Sequence, residues 1–186
     1  MQPSPPRPAS AAERLVEQPR SVAEIVERVR ASWAMLLEAV AGLSDAQLVE
    51  PGPEGWSVKD HLAHIMVWDS VPTTILSGQP QRVAFGLDET TYSRIDSVDQ
   101  LNALIYSRFR DVALDEVRST LQRIHSELVA ALERLGDADL DRSIASFGGD
   151  ADDQRPLRDK IEGDSWGHYA EHAGWLRELR GSLVSS

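Results

Sequence analysis

The 186-residue sequence contains no cysteine. That absence excludes disulfides, thiolate metal sites and a cysteine nucleophile, so any bound ion must be held by His, Asp or Glu. Positive charge is scarce as well: 19 Lys and Arg face 30 Asp and Glu, a formal net charge of −11. So acidic a surface repels phosphate backbones and anionic lipid, which argues against nucleic acid and membranes as partners. No apolar run approaches the roughly 20 residues that a membrane helix needs. The opening stretch, MQPSPPRPASAAERL, lacks the apolar segment of a secretory signal and is rich in proline. Residues 1–20 are expected to be a flexible lead-in to a single domain over 21–182, with the cytoplasm as the default location.

What is present is helical periodicity. Hydrophobic residues make up 41% of the chain, enough at this length for a real core. In SVAEIVERVRASWAMLLEAVAGL, Ser21 and Glu24 form a capping-box pattern. Val22, Ile25, Val26, Val29, Trp33, Leu36, Leu37 and Val40 then recur at three- and four-residue steps as one apolar stripe. Gly42 is a natural stop, and SDAQL adds a short helical turn before EPGPEG breaks the chain. A second helix starts at Ser57 in GWSVKDHLAHIMVWDSV, with Asp60 suited to its N-terminus and Pro72 expected to kink or end it.

Residues 78–96 read as a long connection. A third helix, bent near 110–114, covers SVDQLNALIYSRFRDVALDEVRSTLQRIHSELVAALERL, and a fourth runs from Leu157 to Arg180. No stretch alternates as a strand does. The expected fold is all-α, a four-helix bundle with long inter-helix connections.

Five histidines carry the chemistry: His61, His64, His125, His168 and His172. On a helical wheel His168 and His172 fall in one arc with Ile161, Trp175, Leu176 and Leu179, so both point toward the interior. At i,i+4 their Cβ atoms lie about 5–6 Å apart, close enough for both imidazoles to reach one ion. Two interior histidines satisfied by hydrogen bonds fit the same spacing. The second helix adds His61 and His64 on its own apolar arc with Val58, Leu62, Ile65, Trp68, Val71 and Ile75, and periodicity does not choose between them. Burying several imidazoles without partners is costly, and a shared cation answers that cost.

His125 lies among Leu121, Leu128 and Leu132 on the inward stripe of the third helix. It fits a fourth ligand, a pocket residue or a lone core histidine, most often the last. HYAEH matches the H-x-x-E-H pattern of inverted zinc proteases, but only 14 residues follow His172 and none is a histidine, so a protease is rejected.

GWSVKDHLAHIMVWD followed by GDSWGHYAEHAGWLREL resembles the DinB-like superfamily, also known as the YfiT-like metal-binding four-helix fold. The resemblance implies His64, His168 and His172 as metal ligands, with Gly174 completing the last-helix motif. Ala173 stands where the family often has a basic residue. Asn102, Tyr106 and the DEV helix start at 115–117 resemble the ClbS/DfsB branch, which includes a self-resistance hydrolase acting on an electrophilic genotoxin.

Three imidazoles leave Zn²⁺, Ni²⁺ or Fe²⁺ with open positions, the layout of a catalytic rather than a structural site. The implied activity is that of a metal-dependent transferase or hydrolase acting on small electrophiles, with a low-molecular-weight thiol as a candidate co-substrate. The alternative is a bundle that sequesters a small-molecule ligand, or forms a homodimer, without catalysis. Trp68, Asn102, Tyr106 and His125 are candidate pocket residues. Glu171 reads as a solvent-facing acid or a partner of a ligating histidine, and Asp164 and Ser165 as helix-surface residues. If the metal site forms, the three ring nitrogens should converge to within about 3–4 Å.

Overall fold

A computed structural model describes residues 18–184, so all of the expected lead-in but its last three residues lies outside the described residues. Four helices of 19 residues build the bundle: α1 (Val22–Val40), α3 (Val58–Leu76), α6 (Leu114–Leu132) and α8 (Trp166–Val184). Shorter helices lie between them: α2 (Asp45–Val49), α4 (Glu89–Tyr92), α5 (Val98–Phe109) and α7 (Leu157–Asp164). No strand is present among the described residues. Helix α1 packs along α8 and α3 along α6, with α3 also touching α8 and α5.

The helix starts follow the capping chemistry of the sequence. The Ser57 hydroxyl accepts from the Asp60 amide, and the Asp60 carboxylate accepts from the Ser57 amide, closing a capping box at the head of α3. At α1 only half of that box forms: Ser21 caps Glu24, while the Glu24 carboxylate turns to the Arg20 amide. Gly42 follows α1 at φ 79°, a left-handed turn that suits a residue without Cβ. Ile25, Val29 and Leu36 are fully buried, whereas Leu37 is 44% exposed and leaves the expected stripe.

Three expectations are corrected. Pro72 does not end α3, which continues to Leu76. The ring removes one backbone donor, but Val71 and Ile75 on either side are completely buried, and that packing outweighs the lost bond. The third segment is not one bent helix; it stops at Phe109 and restarts at Leu114. The fourth also divides, because Ser165 takes a non-helical conformation (φ −130°, ψ −99°) between α7 and α8. Its hydroxyl donates to the Ile161 carbonyl, 2.5 Å away. Asp164 and Ser165 are consequently buried rather than on a helix surface, and Asp164 pairs with Lys160 at 3.0 Å.

Lys59 explains the break between α5 and α6. Its buried ammonium donates to the carbonyls of Phe109, Arg110 and Val112, so one side chain of α3 satisfies the groups that α5 leaves open at its end. Replacing Lys59 with Met strands those carbonyls and is expected to cost about 2–4 kcal/mol of stability. Urea denaturation reads this directly, and an unchanged midpoint would show that the ammonium is dispensable.

Candidate metal centre

Helices α3 and α8 bring four of the five histidines together. His64 Nε2 and His168 Nε2 lie 3.0 Å apart. The third member of this group is His172, and the three residues each present one ring nitrogen within 4.8 Å of the others. One pair is thus as close as expected, while the full set is somewhat wider than the 3–4 Å inferred from sequence. Around a tetrahedral ion with N–metal bonds of about 2.0–2.1 Å the nitrogens would sit about 3.3 Å apart.

The electrostatics favour neutral rings. Burial pushes His64 down to about 3, with the neighbouring His168 and His61 adding to the effect. Burial alone brings His168 to about 4. His172 is driven lower still by burial and by His168, His64 and His61. Bare imidazole nitrogens clustered among largely buried side chains suit a divalent cation.

His61, which periodicity left undecided against His64, approaches a different nitrogen. Its Nδ1 lies 3.1 Å from His172 Nδ1, and it stays outside the three-residue group. By contrast, His64 Nδ1 and His168 Nδ1 are buried without a hydrogen-bond partner. Among the three, His172 has its Nδ1 within hydrogen-bond distance of another side chain, that of His61.

The histidines form the floor of an open cavity of about 1050 Å³. Trp68, Asn102 and Tyr106 line it. Asn102 Oδ1 accepts from Trp68 Nε1 at 3.2 Å, which fixes the indole, and Tyr106 stacks on Trp56 at 5.2 Å between ring centroids. Trp56 and Trp175 complete the aromatic lining and were not singled out as pocket residues by sequence. Trp175, expected to face inward, is 47% exposed at the cavity mouth. Glu171 is solvent-exposed and lines the same cavity.

His125 does not line the cavity, so its assignment as a pocket residue is corrected. It faces the interior of the bundle, stacked on Trp33 at 4.0 Å with Nδ1 3.1 Å from the Tyr169 hydroxyl. That hydroxyl donates to Asp69 on α3. Burial pushes Asp69 up to about 8, against the pull of the Tyr169 bond and with a smaller push from Asp164. This Trp33–His125–Tyr169–Asp69 cluster lies next to the clustered histidines, Tyr169 directly following His168, and was not visible in the sequence beyond the inward position of His125.

The DinB superfamily model matches residues 28–175, most of the chain. The protein belongs to the DinB superfamily. Among solved structures, an uncharacterised protein from Escherichia coli UTI89 superposes on this DinB member with a TM-score of 0.69 at 18% identity, covering 88% of this chain and 95% of that one. The colibactin self-resistance protein ClbS, solved in complex with a dsDNA, gives 0.64 at 15% identity over 88% of this chain and 98% of its own. YfiT from Bacillus subtilis, described as "a probable metal-dependent hydrolase with an unusual four-helix bundle topology", gives 0.54 at 18% identity over 96% and 94%. At such identities the likeness is one of fold. No curated protein matches the sequence. Since ClbS was solved with dsDNA, the fold does not exclude nucleic acid, and the expectation against it rests on this chain's charge. No described helix is long and apolar enough to cross a membrane.

The buried groups set the pH response of this DinB protein without metal. All five histidines are depressed in the fold, chiefly by burial. The unfolded chain takes up protons on them below about 6.5, so stability is full above that pH and drains away as pH falls toward about 4 and then about 3. Asp69 and Asp164 act oppositely. Raised to about 8 and about 6, they hold protons in the fold that the unfolded chain has released, and cost stability as pH rises through those values. Thermal melts are expected to peak near pH 6.5. A melting point that stays level between pH 6.5 and 8 would show that Asp69 is already ionised in the fold.

Proposed function

We propose that this protein holds one divalent ion, Zn²⁺, Ni²⁺ or Fe²⁺, through His64, His168 and His172, and acts as a transferase or hydrolase on small electrophilic or thiol-linked molecules. The observation that carries this reading is the meeting of three neutral, largely buried imidazoles at the floor of a cavity large enough for a small molecule. The description of YfiT as "a probable metal-dependent hydrolase" and of ClbS as a self-resistance protein, on the same fold, agrees with it. Bound there, a divalent ion would supply Lewis acidity that turns a water or a thiol into a nucleophile at neutral pH.

The chain's own residues divide the remaining work. The three histidines offer uncharged lone pairs, because burial keeps them unprotonated at pH 7. His61 positions His172: by accepting from His172 Nδ1–H it fixes the tautomer that leaves Nε2 bare for the ion. Trp68, steadied by Asn102, and Tyr106, stacked on Trp56, give a planar guest its walls. Sequestration without catalysis would use the same walls and dispense with the ion.

Metal content separates the two. Protein purified without added metal or chelating resin is expected to carry close to one equivalent by elemental analysis, and His168→Ala close to none. Wild-type protein that neither retains nor takes up an ion would leave only sequestration. Competition with a chromophoric chelator tests His61: His61→Leu should weaken metal binding by about 10–100-fold, with His61→Gln restoring part of it because its carbonyl can accept the same proton. Equal affinity in wild type and His61→Leu would remove His61 from the site.

A further inference from the structure

The cavity over the histidines contains no lysine or arginine among its lining residues. Four exposed carboxylates stand around it: Glu54 before α3, Asp99 on α5, and Glu171 and Glu178 on α8. They come from three separate parts of the fold and converge on one opening. A fifth acid, Asp164, is buried deeper and already paired with Lys160. Lys160 itself is buried, 5.7 Å from the Trp68 ring, and not among the lining residues.

Between the acids, the walls are aromatic. Trp56 and Tyr106 stack nearly parallel, at 22° between planes, and form one side. Trp175 sits edge-on over His172 at 4.8 Å and remains 47% exposed, an indole surface that the fold leaves uncovered. Indole faces attract cations and planar apolar groups. Carboxylates at the rim attract cations from solution and repel anions, an effect confined to about 10 Å at 0.1 M salt.

We infer that the cavity takes a neutral or cationic ligand with a planar, unsaturated body and turns away anionic ones. This deepens the reading above by naming its substrate class, and it borrows from that reading only the location of the site. A divalent ion held by His64, His168 and His172 would offset two of the four carboxylate charges, so the cavity would stay net negative. The consequence for a thiol co-substrate is that it carries no net negative charge, which excludes thiols bearing several carboxylates or phosphates.

Three probes of matched shape test this: 2-naphthylmethylammonium, 2-naphthamide and naphthalene-2-sulfonate, the last an anion that ligates metals poorly. Calorimetric titration of the full-length protein as purified, with its metal content measured first, should give an ammonium and an amide affinity each at least about tenfold above that of the sulfonate in dilute buffer. Added salt should narrow the gap between ammonium and sulfonate. The combined variant Glu54→Gln, Asp99→Asn, Glu171→Gln, Glu178→Gln, which touches exposed side chains alone, should erase most of that ranking. Trp175→Ala should instead weaken all three probes alike.

The same ranking is expected after chelator treatment, so a chain that proves to bind no metal would end the catalytic reading while leaving this one standing. Sulfonate binding as tight as amide binding, no binding by any probe, or a ranking untouched by the four-residue variant would overturn it.

Discussion

The register of α8 against α3 depends on one buried contact, the hydroxyl of Tyr169 on the carboxyl of Asp69. Both residues are completely shielded from solvent. A buried carboxyl in that position is strongly disfavoured without a hydrogen bond, so a slide of one helix past the other that breaks this contact leaves Asp69 without one. His125, reaching in from α6, contacts the same hydroxyl and ties a third helix to the arrangement. Tyr169 directly follows His168 in sequence, and Asp69 lies five residues beyond His64, so fixing the pair also fixes the histidines. The distance between His64 and His168 is therefore set largely by a contact in which neither takes part.

From that contact outward the molecule changes character. The interior behind the histidines is closed and hydrogen-bonded, with Trp33 stacked on His125. The side in front is open, aromatic and acidic. The four imidazoles stand at the boundary, buried enough to lose their protons near neutrality yet facing a space that a small molecule can enter. A group in that position can be both dry and reachable, which chemistry on a small substrate requires.

Much of this was legible in the residues, and what was missed has a common cause. Helix starts were readable because caps are local: Ser57 and Asp60 are three positions apart and hydrogen-bond to each other. The inward direction of His168 and His172 was readable from helical periodicity, and the choice of His64 over His61 came from family resemblance. Pairings of residues far apart in the chain were not readable. Nothing in VWDS shows that Asp69 will meet a tyrosine a hundred residues later, and nothing in SVKD shows that Lys59 will cap another helix. The break at Ser165 was hidden for a related reason. GDSWGH has no proline, and the hydroxyl bond to Ile161 that accompanies the break depends on the conformation it helps to hold. Pro72 misled in the opposite direction, because a local rule yielded to packing that the local sequence does not display.

Floor and wall of the cavity are attached to the fold by different means. The histidines stand on α3 and α8, embedded in the bundle, whereas Asn102 and Tyr106 ride on α5, a short helix whose exit is fastened by the ammonium of Lys59. Substitutions along α5 can accordingly reshape what the protein admits while leaving its imidazole floor intact. On such a scaffold, a lineage could exchange one guest for another by altering a single detachable panel, with the inner machinery inherited unaltered.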